Sequence, residues 1–286
     1  MLRARKSDDG YQIEIGKTFG KYRSVWTDKR YDANEYGTKL VNALVEGAGF
    51  TFPKSLWAVY DAIEAVTGNN KDAIILDFFA GSATTAHAVM ELNANDGGNR
   101  RFIQVQIPAG IDGSLPAFKR GYTTIAEISK ERIRQAGDKI LEGECHPDWN
   151  RDVGFRVLKV DTSNMKDVYY TPDQTGQESL KNLVDNIKPD RTHEDLLFQV
   201  LVDWGVDLTL PISSEVIADK RVFFVDGNAL IACFEKGVTE ELVRKIAELT
   251  PERVVFRDNG FVSDDLKINA EQIFKQLSPE TVVKAI

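Results

Sequence analysis

One run of residues offers more chemistry than any other in this chain: Leu76-Asp77-Phe78-Phe79-Ala80-Gly81-Ser82-Ala83-Thr84-Thr85. An apolar stretch, Ala73 to Phe79, is interrupted only by Asp77 and leads through small residues into a helix opened by Thr84. A turn of this composition lets backbone come close to a ligand and aims free N–H groups at it. Asp77, near the strand's end, offers a carboxylate acceptor for an ammonium or hydroxyl group. The pattern predicts a ligand at the carboxyl end of a buried parallel strand. A plain strand–helix junction has the same residue types, and the run by itself leaves both readings open.

The elements around this run must hold it. Pro53 opens a helix in which Leu56, Val59, Tyr60, Ile63 and Val66 recur at helical spacing, and Gly68 closes it. After the helix from Thr84 to about Asn93, a breaker (Asn95 to Asn99) precedes a second buried strand, Phe102–Ile107. A long helix, Thr123 to Leu141, and a third strand, Phe155–Val160, follow. This alternation predicts an α/β fold, a partial doubly wound Rossmann-like sheet, because a full sheet has about six strands. Residues 1–52 read as a β-rich segment, with a hairpin of Tyr11–Lys17 and Lys21–Thr27 joined through Gly20. Tyr36 to Phe52 reads as a connecting loop with a helical turn. Residues 53–160 form the half-sheet, and residues 161–286 a smaller α+β C-terminal domain. In that domain the sequence predicts helices at Gln177–Ile187 and Thr192–Trp204, a strand at Leu208–Ile212 and a hairpin around Asp226-Gly227-Asn228. The helix Thr239–Leu249, the strand Arg253–Arg257 and the helix Asp264–Leu277 complete it.

Composition narrows the function. The net charge of -8 is uneven: residues 1–160 carry 22 Lys and Arg against 21 Asp and Glu, and residues 161–286 carry 14 against 23. Phosphates repel an acidic surface, so the second part is a poor seat for DNA and a better one for protein partners. Cys145 and Cys233 form no disulfide framework and read as free thiols of a cytoplasmic protein. No pattern of His and Cys has metal-ligand spacing. No apolar run is long enough to cross a bilayer.

The run from Asp77 to Thr85 resembles the cofactor motif Asp-x-Phe-x-Gly-Ser-Gly-Thr-Thr of amino-methyltransferases in the class ordered catalytic motif, recognition region, cofactor motif. Asp77, Phe79, Gly81, Ser82, Thr84 and Thr85 match it, and Ala83 replaces the second glycine. Phe52-Pro53-Lys54-Ser55-Leu56 resembles the motif whose helix start closes over the methionine end of S-adenosylmethionine. Phe102 to Gln106 resembles the strand ending in a ribose-binding acid, with Gln106 in the acid's place. Asn93 to Arg101, and Gly121-Tyr122 through Ile125-Ala126-Glu127 to Lys130-Glu131-Arg132-Ile133, are similar to type III restriction–modification modification subunits. So is the longer run from Ser24-Val25-Trp26 to Gly154-Phe155. Outside the resemblance, Lys130, Glu131, Arg132 and Arg134 read as a solvated helix face.

The resemblance implies a site-specific DNA adenine-N6 methyltransferase using S-adenosyl-L-methionine. Pro53, Lys54, Ser55, Asp77, Phe78, Phe79, Ala80, Gly81, Ser82, Thr84, Thr85 and Gln106 are its cofactor-binding residues. It also implies double-stranded DNA, a second modification subunit and the restriction subunit as partners. The family's Asp-Pro-Pro-Tyr motif, which supplies acceptors and an aromatic face for a flipped base, is absent: no two prolines are adjacent. No catalytic residue is assigned, and the chain is expected to be a portion of a longer polypeptide, inactive alone. Two alternatives stand beside this reading: a non-catalytic interaction module, and part of an N4-cytosine methyltransferase. A nicotinamide-binding Rossmann protein is disfavoured, because the turn lacks G-x-G-x-x-G.

Overall fold

The structure, a computed structural model, describes residues 2–7, 10–15, 24–166 and 186–286, with backbone alone for the first two stretches. It is a mixed α/β protein of two compact units, Met1–Leu158 and Lys159–Ile286.

The first unit opens with an antiparallel pair, β1 (Leu2–Ser7) and β2 (Gly10–Ile15), in which Leu2 faces Ile15 and Ser7 faces Gly10. The expected strand at Tyr11 thus pairs upstream, and Ser24–Thr27 is no strand. Residues 16–23 lie outside the described set. A wide helical turn, Asn34–Lys39, runs into α1 (Leu40–Leu44). Val41, Val45 and Ala48 are buried against Ala117 and Ile128, so Tyr36–Phe52 is a core element and not a loop. Their spacing of four and three is that of a helix face, which Gly37, Gly47 and Gly49 in and around it obscured.

The helix α2 (Leu56–Thr67) ends at Gly68 (φ 51°), as its sequence predicts, but it begins at Leu56 and not at Pro53, because Ser55 keeps extended backbone (φ -60°, ψ 133°). Two parallel strands, β3 (Ile74–Phe78) and β4 (Arg101–Val105), pair with Ile74 beside Arg101 and Phe78 beside Val105. Between them runs α3 (Thr84–Asp96). After a short helix, α4 (Pro116–Lys119), comes α5 (Ile125–Glu142), capped by Thr124, whose hydroxyl accepts from the Glu127 N–H. α3 is the centre of the unit. One side packs Leu56 and Ile63 of α2 against Ala88, Val89 and Leu92. The other packs Ala86, Met90 and Ala94 against Ile133, Ala136, Ile140 and Trp149. These helices cover one face of the two-stranded sheet, where Ile75 and Phe102 join the clusters. The opposite face is exposed and apolar: Ile74, Leu76 (61%), Phe78 (64%) and Ile103. The predicted third strand, Phe155–Val160, forms no ladder; Phe155 instead packs on the α5 cluster.

The second unit holds a five-stranded sheet in sequential order: β5 (Ile212–Ile217), β6 (Lys220–Val225), β7 (Leu230–Cys233), β8 (Arg253–Phe256) and β9 (Val282–Ala285). The first three strands run antiparallel, and β7–β8–β9 are parallel. Among the described residues, three α-helices accompany it: α6 (His193–Asp203), α7 (Glu240–Glu248) and α8 (Asp264–Leu277). Helices α7 and α8 cover one face, with Leu242, Ile246, Ile273 and Phe274 on Ile231, Val254 and Phe256. Helix α6 covers the other, with Leu196, Val200 and Leu201 on Phe223, Ala232 and Val255. The Asp226-Gly227-Asn228 hairpin is present, and α8 has its expected bounds. Strand β5 begins where the expected Leu208–Ile212 strand ends, because the Asp207 carboxylate accepts from the Thr209 backbone and hydroxyl and turns the chain. The four-residue β9 was not foreseen. Of the expected helix Gln177–Ile187, residues 177–185 lie outside the described set, and Ile187 makes an isolated bridge to Met165.

Candidate active site

The turn after β3 is built by four sets of hydrogen bonds. Ala80 N–H donates to the Val105 carbonyl at 3.0 Å, carrying the pairing one step beyond the strands. Gly81 N–H donates to Gln106 Oε1 at 2.8 Å, while the Gln106 amide donates to its neighbour's carbonyl, Ile107 O, at 3.0 Å. Thr85 Oγ1 donates to Asp77 Oδ2 at 2.6 Å, which ties the strand's end to the first turn of α3. Gln104 Nε2 reaches the same oxygen at 3.3 Å. Finally, Arg132 of α5 lies beneath the turn. Its Nη1 donates to Ser82 O (3.1 Å), Ser82 Oγ (2.7 Å) and Thr84 Oγ1 (2.8 Å). Three predicted residue pairs therefore meet: Asp77 with Thr85, Gly81 with Gln106, and Ser82 with Thr84.

Ala83 is fully buried and left-handed (φ 59°, ψ 38°), at the position just before α3. Its departure from glycine is thus not absorbed by the helix; a non-glycine residue in this region costs about 1 kcal/mol. Gly81 is also left-handed (φ 54°), where glycine is at ease. A Cβ built on Gly81 would meet only the Phe50 ring, at 3.6 Å. The backbone there is open to a ligand, with the Phe50 ring as its nearest neighbour, and the exposed rings of Phe78 and Phe79, packed edge to face on each other, lie just upstream in the chain. The start of α3 carries no side-chain cap, so its first N–H groups keep their donor capacity.

The Pro53–Ser55 group is seated separately. Pro53 and Ser55 are buried and Lys54 is exposed. The Ser55 hydroxyl donates to Arg30 O at 2.9 Å. Arg30 and Tyr31 both bond the buried carboxylate of Asp61 on α2. Gly37 backs directly onto the segment, and a Cβ there would stand 2.7 Å from Pro53 O. Phe50, just upstream of this segment, is the side chain nearest to Gly81. A cleft of about 570 Å3 bordered by Trp26, Tyr31 and Tyr36 includes none of the predicted site residues.

The electrostatics beneath the turn are unusual. Arg132 is 0% exposed, and burial lowers its pKa to about 10. His87 of α3 is also buried; burial first, then the charges of Arg132 and Lys139, push it down to about 3, so it is neutral. Sequence reasoning placed Arg132 on a solvated face and missed it. The missed signal is its spacing: Ile128, Arg132 and Ala136 are four apart, and all three are buried. Phe50 was missed with its loop. Among the described residues, no group of three or more His, Cys, Asp or Glu could hold a metal ion, and no helix is long and apolar enough to cross a membrane.

Residues 4–138 match the family described as DNA methylase. The chain is related to the Mod subunits of type III restriction-modification enzymes. It is 30% identical to the EcoPI Mod subunit of Escherichia phage P1 over 249 residues, 85% of this chain and 37% of that one. It is 42% identical to the StyLTI Mod subunit of Salmonella typhimurium over 130 residues, 46% of this chain and 19% of that one. The chain therefore spans less than two fifths of either relative. The EcoPI match is longer than the first unit and reaches into the second.

Proposed function

We propose that this chain is the cofactor-binding portion of a site-specific DNA methyltransferase of a type III restriction–modification system, which methylates adenine N6. The observation that carries the reading is the turn over Gly81. It lies at the carboxyl end of two parallel strands, where open α/β sheets take their ligands. It presents bare backbone beside the Phe50 ring, and Thr85 at its far end is tied to the Asp77 carboxylate. These residues fit S-adenosyl-L-methionine, whose sulfonium supplies an activated methyl group. Asp77 would accept from the ligand's ammonium, Phe78 and Phe79 would flank its rings, and Lys54 would face its carboxylate. Gln106, already an acceptor for Gly81, has amide capacity left for a ribose hydroxyl but lacks the charge of the family's acid. The adenine-holding Asp-Pro-Pro-Tyr segment, the DNA-recognition region and the rest of the sheet would come from polypeptide outside these residues.

Residues 161–286 would serve as the interaction domain, for a second modification subunit or the restriction subunit. Two features favour this: the acidic balance of the segment and a sheet covered on both faces. Titration calorimetry of the 286-residue chain with S-adenosyl-L-methionine and its demethylated product tests the cofactor site; no heat with either sinks the reading. Tritium transfer from labelled cofactor to duplex DNA tests the rest. The chain alone should transfer none, and methylation of cytosine by a complete enzyme would replace adenine N6 with cytosine N4.

A further inference from the structure

The geometry points to Arg132 as the positioning residue that holds the Ser82–Thr84 turn in its ligand-facing shape and permits an alanine at position 83. Three observations converge. The Arg132 Nη1 bonds straddle Ala83: the carbonyl and hydroxyl of Ser82 lie on one side, and the hydroxyl of Thr84 on the other. Ala83 is held left-handed at full burial, a conformation that persists in a non-glycine residue only when its surroundings over-determine it. Arg132 gains no ion pair for its burial. Among the described residues no carboxylate pairs with it, and its Nε and Nη2 find no acceptor. A buried, unmatched guanidinium is expensive to keep. It brings no salt bridge to the fold, and its bonds go solely to the turn. The Ser129 hydroxyl, about one helical turn earlier, donates to the Gly81 carbonyl, so α5 holds the bend at Gly81, Ser82 and Thr84.

The consequence is specific. Substituting Arg132 should loosen the bend more than the molecule, because an apolar side chain of similar length removes a buried charge while deleting the clamp. Glycine at position 83 should then recover what was lost, because glycine holds the left-handed conformation unaided.

The link from bend to cofactor rests on the function proposed above, so the test has two arms. The chain is prepared as parent, Arg132→Met, Arg132→Lys, Ala83→Gly and the Arg132→Met, Ala83→Gly double variant. The first arm is amide hydrogen exchange at Gly81–Thr85, which needs no ligand. Exchange should accelerate by about tenfold in Arg132→Met relative to the rest of α3, and return close to parent in the double variant. Arg132→Lys, a point charge without the planar fork, should fall between. The second arm is calorimetry with S-adenosylhomocysteine. Affinity should fall about tenfold in Arg132→Met and recover to within about threefold in the double variant, a non-additive pair. Parent-like exchange in Arg132→Met, or strictly additive effects of the two substitutions, overturns the proposal. If the parent does not bind S-adenosylhomocysteine, the cofactor reading fails while the exchange arm still judges the clamp. If Arg132→Met does not fold, Arg132→Lys carries the same comparison with Ala83→Gly.

Discussion

His87 sits inside α3 between the clusters that α2 and α5 bring to it, and its ring has no acidic neighbour to welcome a proton. Its pKa is lowered from 6.5 to about 3, by burial first and then by the charges of Arg132 and Lys139. The sign follows directly. Below pH 6.5 the unfolded chain takes up a proton that the folded chain refuses, so stability is intact above that value and falls as pH drops toward 3. Each unit in this window removes up to about 1.4 kcal/mol, and at pH 5 the loss is about 2 kcal/mol. That is a sizeable part of the roughly 5–15 kcal/mol of a typical domain. The assay is urea unfolding at pH 7.5 and pH 5, for parent and His87→Gln. A Trp204→Phe background confines tryptophan fluorescence to the first unit, where Trp149 packs beside α3. The parent should lose about 2 kcal/mol more than His87→Gln between the two pH values, the carboxylates cancelling in the difference. Equal losses in both proteins would refute the assignment of a neutral, proton-refusing imidazole.

Three further outcomes are expected. Gly37→Ala forces a methyl to within 2.7 Å of Pro53 O, so the Pro53–Ser55 segment must shift. Thermal unfolding should show a loss of about 1–3 kcal/mol, the usual cost of overpacking. Asp77→Asn keeps an acceptor for Thr85 but removes the charge offered to a ligand ammonium. Calorimetry should show S-adenosyl-L-methionine affinity down about tenfold, with folding nearly unchanged. Leu76→Ser on the exposed sheet face should leave the melting temperature within about 2 °C and reduce self-association in light scattering, because that side chain contacts water.

Local rules made much of the molecule readable. Gly68 closes α2 as read, small residues mark the bend after β3, and Asp264 to Leu277 gives the last helix with its bounds, whereas Pro53 lies ahead of the α2 cap at Ser55. Asp77, Gly81, Thr85 and Gln106 were legible because the motif names them, and hydrogen bonds join them in two pairs. What escaped was set by tertiary partners. Val41, Val45 and Ala48 are core because Ala117 and Ile128 meet them. Arg132 looked solvated among Lys130, Glu131 and Arg134, although its helical phase puts it on the buried stripe. The short β9 exists because β8 offers it an edge, and nothing within four residues announces that. Ala83 could be flagged as a departure from glycine, but only backbone angles reveal that the departure is strained.

The water-facing side of β3 and β4 has a thermodynamic corollary. Two strands propped from one side make a shallow foundation for the bend they carry. Whatever polypeptide comes to lie over Ile74, Leu76, Phe78 and Ile103 will steady that foundation, and a ligand in the bend will steady it from above. Such coupling is reciprocal: the factor by which a cover sharpens ligand affinity is the factor by which the ligand sharpens affinity for the cover. Damage to the cover, far from Gly81, would then register as weakened ligand binding.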